Sequence, residues 1–252
     1  MSILRHPSAP NIRRLTAALV LLGAVAPLLL SARGAASAAG ISATRHAATG
    51  RIEGTVVIST ALSTRRPRFR IYDAPGPGAN APKRETNEIL NVVLYLDDSI
   101  SDVGVQRTAH ASIAQEGERF VPHVLPVLRG ATVDFPNADD VFHNVFSLSS
   151  AKSFDLGRYP RGSSKAVTFD KHGVVQVFCH IHSDMSALVL VLDTPHFTTP
   201  ALTGHYSLED IPPGDYTLIG WHERIAPVMR TIHVTAGETV RADFAIPLPD
   251  GG

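Results

Sequence analysis

Short apolar stretches, each four to ten residues long and broken by glycine, proline or aspartate, recur from about residue 51 to residue 246. Arg51-Ile-Glu-Gly-Thr-Val-Val-Ile58 is rich in β-branched residues and bounded by turn formers, which predicts a strand. Arg65-Arg-Pro-Arg-Phe-Arg-Ile71 predicts a second, basic strand, placed at an edge by Pro67. The prolines and glycines between Asp73 and Pro82 predict a loop. Further strands are predicted over 91–96, 110–115, 119–128, 131–135, 142–148, 165–169, 174–179 and 186–192. The last, Ser186-Ala-Leu-Val-Leu-Val-Leu192, is apolar enough to be buried on both faces. Segments 204–208, 215–221 and 230–234 continue the series, and 240–246 alternates Val240, Ala242, Phe244 and Ile246 with polar residues. No stretch of useful length carries a helical period. The fold class expected is all-β, built as sandwiches.

The N-terminus departs from this pattern. Arg5, Arg13 and Arg14 precede an apolar run, Leu15 to Leu30, and Ala36-Ser37-Ala38 fits a small-residue cleavage site. Residues 1–38 therefore read as a secretory signal peptide, with 39–49 as a flexible lead-in. The run is shorter than the roughly 20 residues a spanning helix needs, so cleavage is favoured over a retained anchor. Arg13-Arg14 matches a twin-arginine export signal weakly. The expected location is periplasmic or secreted, with no membrane span in the mature chain. Loss of residues 1–38 removes four arginines and no acids from a chain of 23 basic and 23 acidic residues, leaving 19 against 23. That mildly acidic balance, with no basic patch interleaved with aromatics, excludes nucleic acid as an expected partner.

An exported chain with one cysteine cannot close an internal disulfide. The setting of that cysteine is informative: Val177-Phe-Cys-His-Ile-His-Ser-Asp-Met185 places Cys179, His182 and Met185 within seven residues at the end of an apolar run. A thiolate, an imidazole and a thioether form a soft ligand set. Two histidines and a cysteine with a long axial methionine is the arrangement of an electron-transferring copper site. Zinc accepts cysteine and histidine, but methionine is a poor ligand for it. Val175, Val177 and Cys179 share one strand face, so the sulfur points into the core. His143, in Asp140-Val-Phe-His-Asn144, is the candidate second histidine. Nothing local to His143 settles its partner.

Residues 110–193 resemble a cupredoxin of the plastocyanin/amicyanin group. The likeness lies in Gly130-Ala-Thr-Val-Asp-Phe-Pro136, His143-Asn144, Phe178-Cys-His-Ile-His-Ser-Asp-Met185 and the closing Leu-Val-Leu-Val strand. The resemblance implies a Greek-key sandwich over 109–196 and one type 1 copper ion. Its ligands would be His143, Cys179, His182 and Met185, with Asn144 bonding across to the Cys179 loop. It also implies that His182 presents a partly exposed edge for electron exchange. Two residues depart from the pattern: His180 directly follows the cysteine, and His172 stands where proline is usual. His180 reads as a surface residue, or as a possible secondary metal ligand. The stretch Ser149 to Ser164, with Lys152, Phe154, Arg158, Tyr159 and Arg161, reads as a long connection offering a docking surface.

The flanks resemble a different family. Gly204-His-Tyr-Ser-Leu-Glu-Asp-Ile-Pro-Pro-Gly-Asp-Tyr-Thr-Leu, with Arg51-Ile-Glu-Gly-Thr-Val and Asn91-Val-Val-Leu-Tyr-Leu, is similar to a carboxypeptidase regulatory-like (prealbumin-like) sandwich. The expected organisation is thus a cupredoxin inserted into a second small β-sandwich split over 50–108 and 197–247. Two domains in tandem are the alternative.

The remaining histidines are scattered without paired spacing. His222, in Trp221-His-Glu-Arg224, stands beside the only tryptophan and reads as a loop residue closing a strand. With no phosphate loop or serine elbow, and no further histidine-rich copper motif, no enzymatic activity is expected. The function expected is one-electron transfer by an exported copper protein with transient redox partner proteins. The alternatives are non-redox copper handling, or an envelope binding module whose cupredoxin is structural.

Overall fold

Strand formation follows the β-branched and alternating stretches, and the pairing of those strands sorts the chain into two sets of sheets. The computed structural model describes residues 48–59, 87–97 and 110–246. The expected signal peptide, most of the expected lead-in, the strand expected at 65–71 and the loop expected at 73–82 lie outside the described residues. The ordered chain opens with β1 (Gly50–Ile58), a 3₁₀ turn over Glu88–Asn91, and β2 (Val93–Leu96). Asn87 caps the turn, its side chain accepting from the Ile89 amide. There follow β3 (His110–Ser112), β4 (Ala114–Gln115), β5 (Phe120–Val121), β6 (Val124–Leu128), β7 (Thr132–Pro136) and β8 (His143–Leu148). Next come β9 (Ser153–Tyr159), β10 (Ser164–Thr168), β11 (Gly173–Phe178) and β12 (Ser186–Leu192). The chain closes with β13 (Phe197–Thr198), β14 (His205–Ile211), β15 (Gly214–Trp221), β16 (Val228–Val234), β17 (Thr239–Arg241) and β18 (Phe244–Ile246). The protein is all-β, and no helix among the described residues is long and apolar enough to cross a membrane.

The middle strands pair among themselves: β10-β7-β3 in one sheet, β6-β12-β11-β8-β9 in a second, and β4 with β5. The outer strands do likewise, as β14-β1-β17 with β18 also on β1, and as β13-β2-β15-β16. Each set encloses its own apolar core. The middle core contains Val133, Phe135, Val145, Phe169, Val175, Val177 and Val189. The outer core contains Ile52, Val56, Leu94, Tyr206, Leu218 and Phe244. Alternation decides which side chain goes where: Ala187, Val189 and Val191 of β12 enter the middle core. Leu188, Leu190 and Leu192 point the other way and pack with Val93 and Val124, against Tyr95, Phe197 and Trp221. The two-sided apolar character of β12 is thereby accounted for, since one face fills its own sandwich and the other meets the second.

The single strands expected over 110–115 and 240–246 each divide in two, into β3 and β4 and into β17 and β18, and two further stretches differ from the sequence expectation. Residues 153–159 form a strand, β9, rather than a connection, and Tyr159 is buried at its end. Phe154 and Leu156 alternate with Asp155 and Gly157, but the alternation breaks at Arg158 before the buried Tyr159, which conceals the strand. Residues 119–128 divide into β5 and β6 because Pro122 and His123 bend the chain between them.

In β1 the residue pairing changes from β17 to β18 along one edge, and Ala242 crosses over Gly54 at the change. A methyl group at Gly54 would stand 2.0 Å from the Ala242 carbonyl oxygen, a backbone atom that also accepts from the Tyr206 hydroxyl. Gly54→Ala should therefore destabilise the fold by about 1–3 kcal/mol through overpacking. Urea unfolding checks this; a midpoint equal to that of the parent protein would contradict the crossing.

Candidate metal centre

The alternation of β11 buries Val175 and Val177 and delivers Cys179, 1% exposed, to the same interior side. The chain then turns back on itself. The Met185 amide donates to His182 O at 3.0 Å and the Cys179 amide to Met185 O at 3.3 Å, so the loop is closed by its own backbone. Phe178 pairs with Ser186 on β12 and with Phe146 on β8. That second pairing sets the start of β8, and with it His143, beside the loop.

Three ligand atoms converge as a result. His143 Nδ1 and His182 Nδ1 are 3.0 Å apart, and Cys179 Sγ lies 4.0 and 3.9 Å from them. These are the only grouping of three such side chains among the described residues. A point equidistant from the three atoms is about 2.1 Å from each, within the roughly 2.0–2.3 Å span of zinc–nitrogen and zinc–sulfur bonds. The donor set therefore fits a single first-row metal ion. Met185 is buried in the same apolar cluster as Cys179. His143 is fully buried, whereas His182 keeps part of its ring at the surface.

Asp139 orients His143. Its Oδ2 faces His143 Nε2 at 2.9 Å, so Nε2 carries the proton and Nδ1 is left with its lone pair toward the sulfur. The same carboxylate accepts from the amides of Gly117 and Glu118 at 2.6 and 2.8 Å. Both residues have positive φ, 61° and 55°, so their successive N–H groups form an anion-binding concavity. Burial opposes ionisation of Asp139, but donation from Glu118, His143 and Gly117 outweighs it and holds the carboxyl below its ordinary range. At His182, burial, reinforced by His143, lowers the imidazole pKa and favours the neutral, ligating form. Asn137, buried, fixes the intervening loop by accepting from the Asp139 amide and donating to the carbonyls of Val141 and Tyr159.

Asn144 donates to Asp155 Oδ1 at 2.7 Å and accepts from the His180 amide at 3.4 Å, which links β8, β9 and the Cys179 loop. The His180 ring is not with the three ligand atoms. It stacks on Phe146 at 3.7 Å, half-exposed, with Nε2 3.9 Å from Asp155. Around His182 the surface is apolar: Val141 and Phe142 are exposed, with Ile181 and Arg158 completing the rim. Of the stretch expected to offer a docking surface, Arg158 reaches this rim, while Tyr159 is buried and Phe154 packs on the middle core. The sequence signal for Asp139 was its spacing of four residues before His143; for Val141 and Phe142, two apolar residues in an otherwise polar loop.

No family model matches the chain, and no curated protein does. Solved structures similar to part of it include the copper-containing nitrite reductase NirK from Thermus scotoductus SA-01, at 24% identity and a TM-score of 0.33 over 37% of this chain and 25% of that one. A purple cupredoxin from Nitrosopumilus maritimus matches at 26% identity and a TM-score of 0.30, over 32% of this chain and 99% of that one. Amicyanin from Paracoccus versutus matches at 22% identity and a TM-score of 0.31, over 33% of this chain and 81% of that one. The chain thus spans about a quarter of the nitrite reductase.

Asp139→Ala removes the acceptor of His143 Nε2–H and frees the 117–118 turn. Metal affinity, measured by chelator competition, should fall about 10–100-fold. Asp140→Ala, which loses only an exposed pair with Arg161, should leave it unchanged. Equal affinities in the two variants would contradict the role given to Asp139.

Proposed function

We propose that the chain is an exported one-electron carrier whose single type 1 copper ion would be held by His143, Cys179 and His182, with Met185 as a fourth ligand. The observation that carries this reading is the convergence of one sulfur and two imidazole nitrogens about a point at metal-bond distance from all three. Thiolate with imidazole selects copper over calcium, magnesium or manganese, and the buried thioether beside them selects it over zinc. Copper, when bound, supplies one centre that gains and loses a single electron.

The residues of this chain do the rest. Strands β8, β11 and β12 hold the ligands on a rigid frame, so little reorganisation accompanies a change of charge. Burial of Cys179 and His143 excludes water from the sulfur. Asp139 keeps the His143 proton on Nε2. The exposed edge of His182, ringed by Val141, Phe142 and Ile181, suits brief apolar contact with a redox partner protein. Met185, buried in the same cluster as Cys179, would fill a fourth position and leave none for a substrate, which supports a carrier rather than an enzyme.

We further propose that residues 109–196 are a metal-binding domain inserted into a split outer sandwich over 50–108 and 197–247. The closed pairing of each strand set supports this. Export rests on the leader over 1–38.

The copper-loaded mature chain should show an intense visible absorption from thiolate-to-copper charge transfer, and Cys179→Ser should abolish it. A colourless copper(II) protein, or colour that survives Cys179→Ser, would refute the reading. Full copper stoichiometry in a colourless Cys179→Ser variant, from a parent that was also colourless, would favour non-redox copper handling.

A further inference from the structure

Among the described residues, a pair links the second sandwich to Ser186, the first residue of β12 after the metal loop. His123, in the bend between β5 and β6, is bound to β12 twice: its carbonyl accepts from the Leu188 amide at 2.7 Å, and its Nδ1 lies 3.0 Å from Ser186 O. Ser186 is the residue after Met185 and the strand partner of Phe178, the residue before Cys179. The other ring nitrogen of His123, Nε2, faces Glu223 Oε1 at 3.0 Å. Both side chains are only 17–20% exposed. The two ring nitrogens thus face two oxygen atoms, a carbonyl on β12 and a carboxylate on the outer set of strands, and the ring bridges them.

Glu223 belongs to the outer set of strands, in the turn after β15. That turn is itself fixed. His222, fully buried, accepts the Arg224 amide at Nδ1, and its Nε2 stands 3.4 Å from Glu88 Oε2 without a formed hydrogen bond. Glu88 in turn accepts from Asn91 at 2.8 Å. On the apolar side Trp221 packs against the Leu188, Leu190 and Leu192 face. The turn is thus anchored in the outer sandwich and delivers one carboxylate to His123. A cleft of about 250 Å³ opens beside the pair, between Phe178 and Trp221.

We infer that Glu223 and His123 are positioning residues of the metal centre: through Ser186 the outer sandwich sets where β12 begins, and so how close Met185 lies to the metal. The inference rests on the copper reading above. The axial ligand is the one whose distance tunes a site of this kind, and groups that hold a ligand from outside the first coordination sphere carry much of a site's properties. Removing His123 leaves Ser186 held by backbone pairing alone, and removing Glu223 leaves the His123 ring without its partner in the outer sandwich. The remaining three ligands are untouched, so copper should still bind.

The test compares the copper-loaded parent with Glu223→Gln, His123→Ala and the double variant, by visible spectrum and by midpoint potential. Each single variant should keep one copper ion, shift the charge-transfer spectrum, and change the Cu(II)/Cu(I) affinity ratio roughly threefold or more, where tenfold is about 59 mV for one electron. The double variant should shift no further than the larger single shift, because the two residues act as one unit. Spectra and potentials equal to those of the parent, or shifts that add in the double variant, would overturn the inference while leaving the copper reading in place. A parent without the charge-transfer band would overturn the copper reading itself. If His123→Ala fails to fold, Glu223→Gln, which preserves shape, carries the same comparison.

Discussion

Strand β12 is buried on both faces, and the molecule is arranged around that constraint. Its edges are taken by β11 and β6, which satisfy its backbone along its length. Its inward residues share a core with Cys179 and Met185. Its outward leucines need cover, since burying each contributes about 1.5–3 kcal/mol relative to exposure. The outer sandwich supplies it through Val93, Tyr95, Phe197 and Trp221. A strand free on its outer face would be polar there. The apolar run of 186–192 therefore already implies a second layer, while the loop that precedes it packs on the middle core.

This arrangement makes the metal centre a consequence of register. Cys179, His182 and Met185 are close because they are close in sequence, and a seven-residue loop closed by two backbone bonds can do little else. His143 arrives only because Phe146 pairs with Phe178 and because Asp139 fixes its ring. The rigid part of the site is therefore the deeper part, at His143 and the sulfur. The half-exposed His182 is its surface-facing edge. That gradient, from a dry interior to an apolar rim, suits the electron-carrier role proposed above.

Much of this could be read from residues alone, for physical reasons that also explain what could not. Period-two alternation in 174–179 and 240–246 is a local signal, and the strands form there. The ligand loop is local too. His143 and the loop lie 36 residues apart, so its place came from family resemblance rather than from spacing. Strand β9 was hidden because its alternation breaks at Arg158, just before the buried Tyr159. Asp139, four residues before His143, shapes the loop by holding both a backbone concavity and the His143 ring. His222 read as a loop residue closing a strand, and it does sit in the turn after β15. Its complete burial beside Glu88 depends on a contact across the outer sandwich that no local pattern encodes.

The central claim is that one metal ion is bound jointly by His143, Cys179 and His182. X-ray absorption at the copper edge of the loaded mature protein tests it most directly. One short sulfur contact together with two imidazole nitrogens is the expected first shell, with the sulfur lost in Cys179→Ser. A first shell of nitrogen and oxygen alone in the parent protein would contradict it.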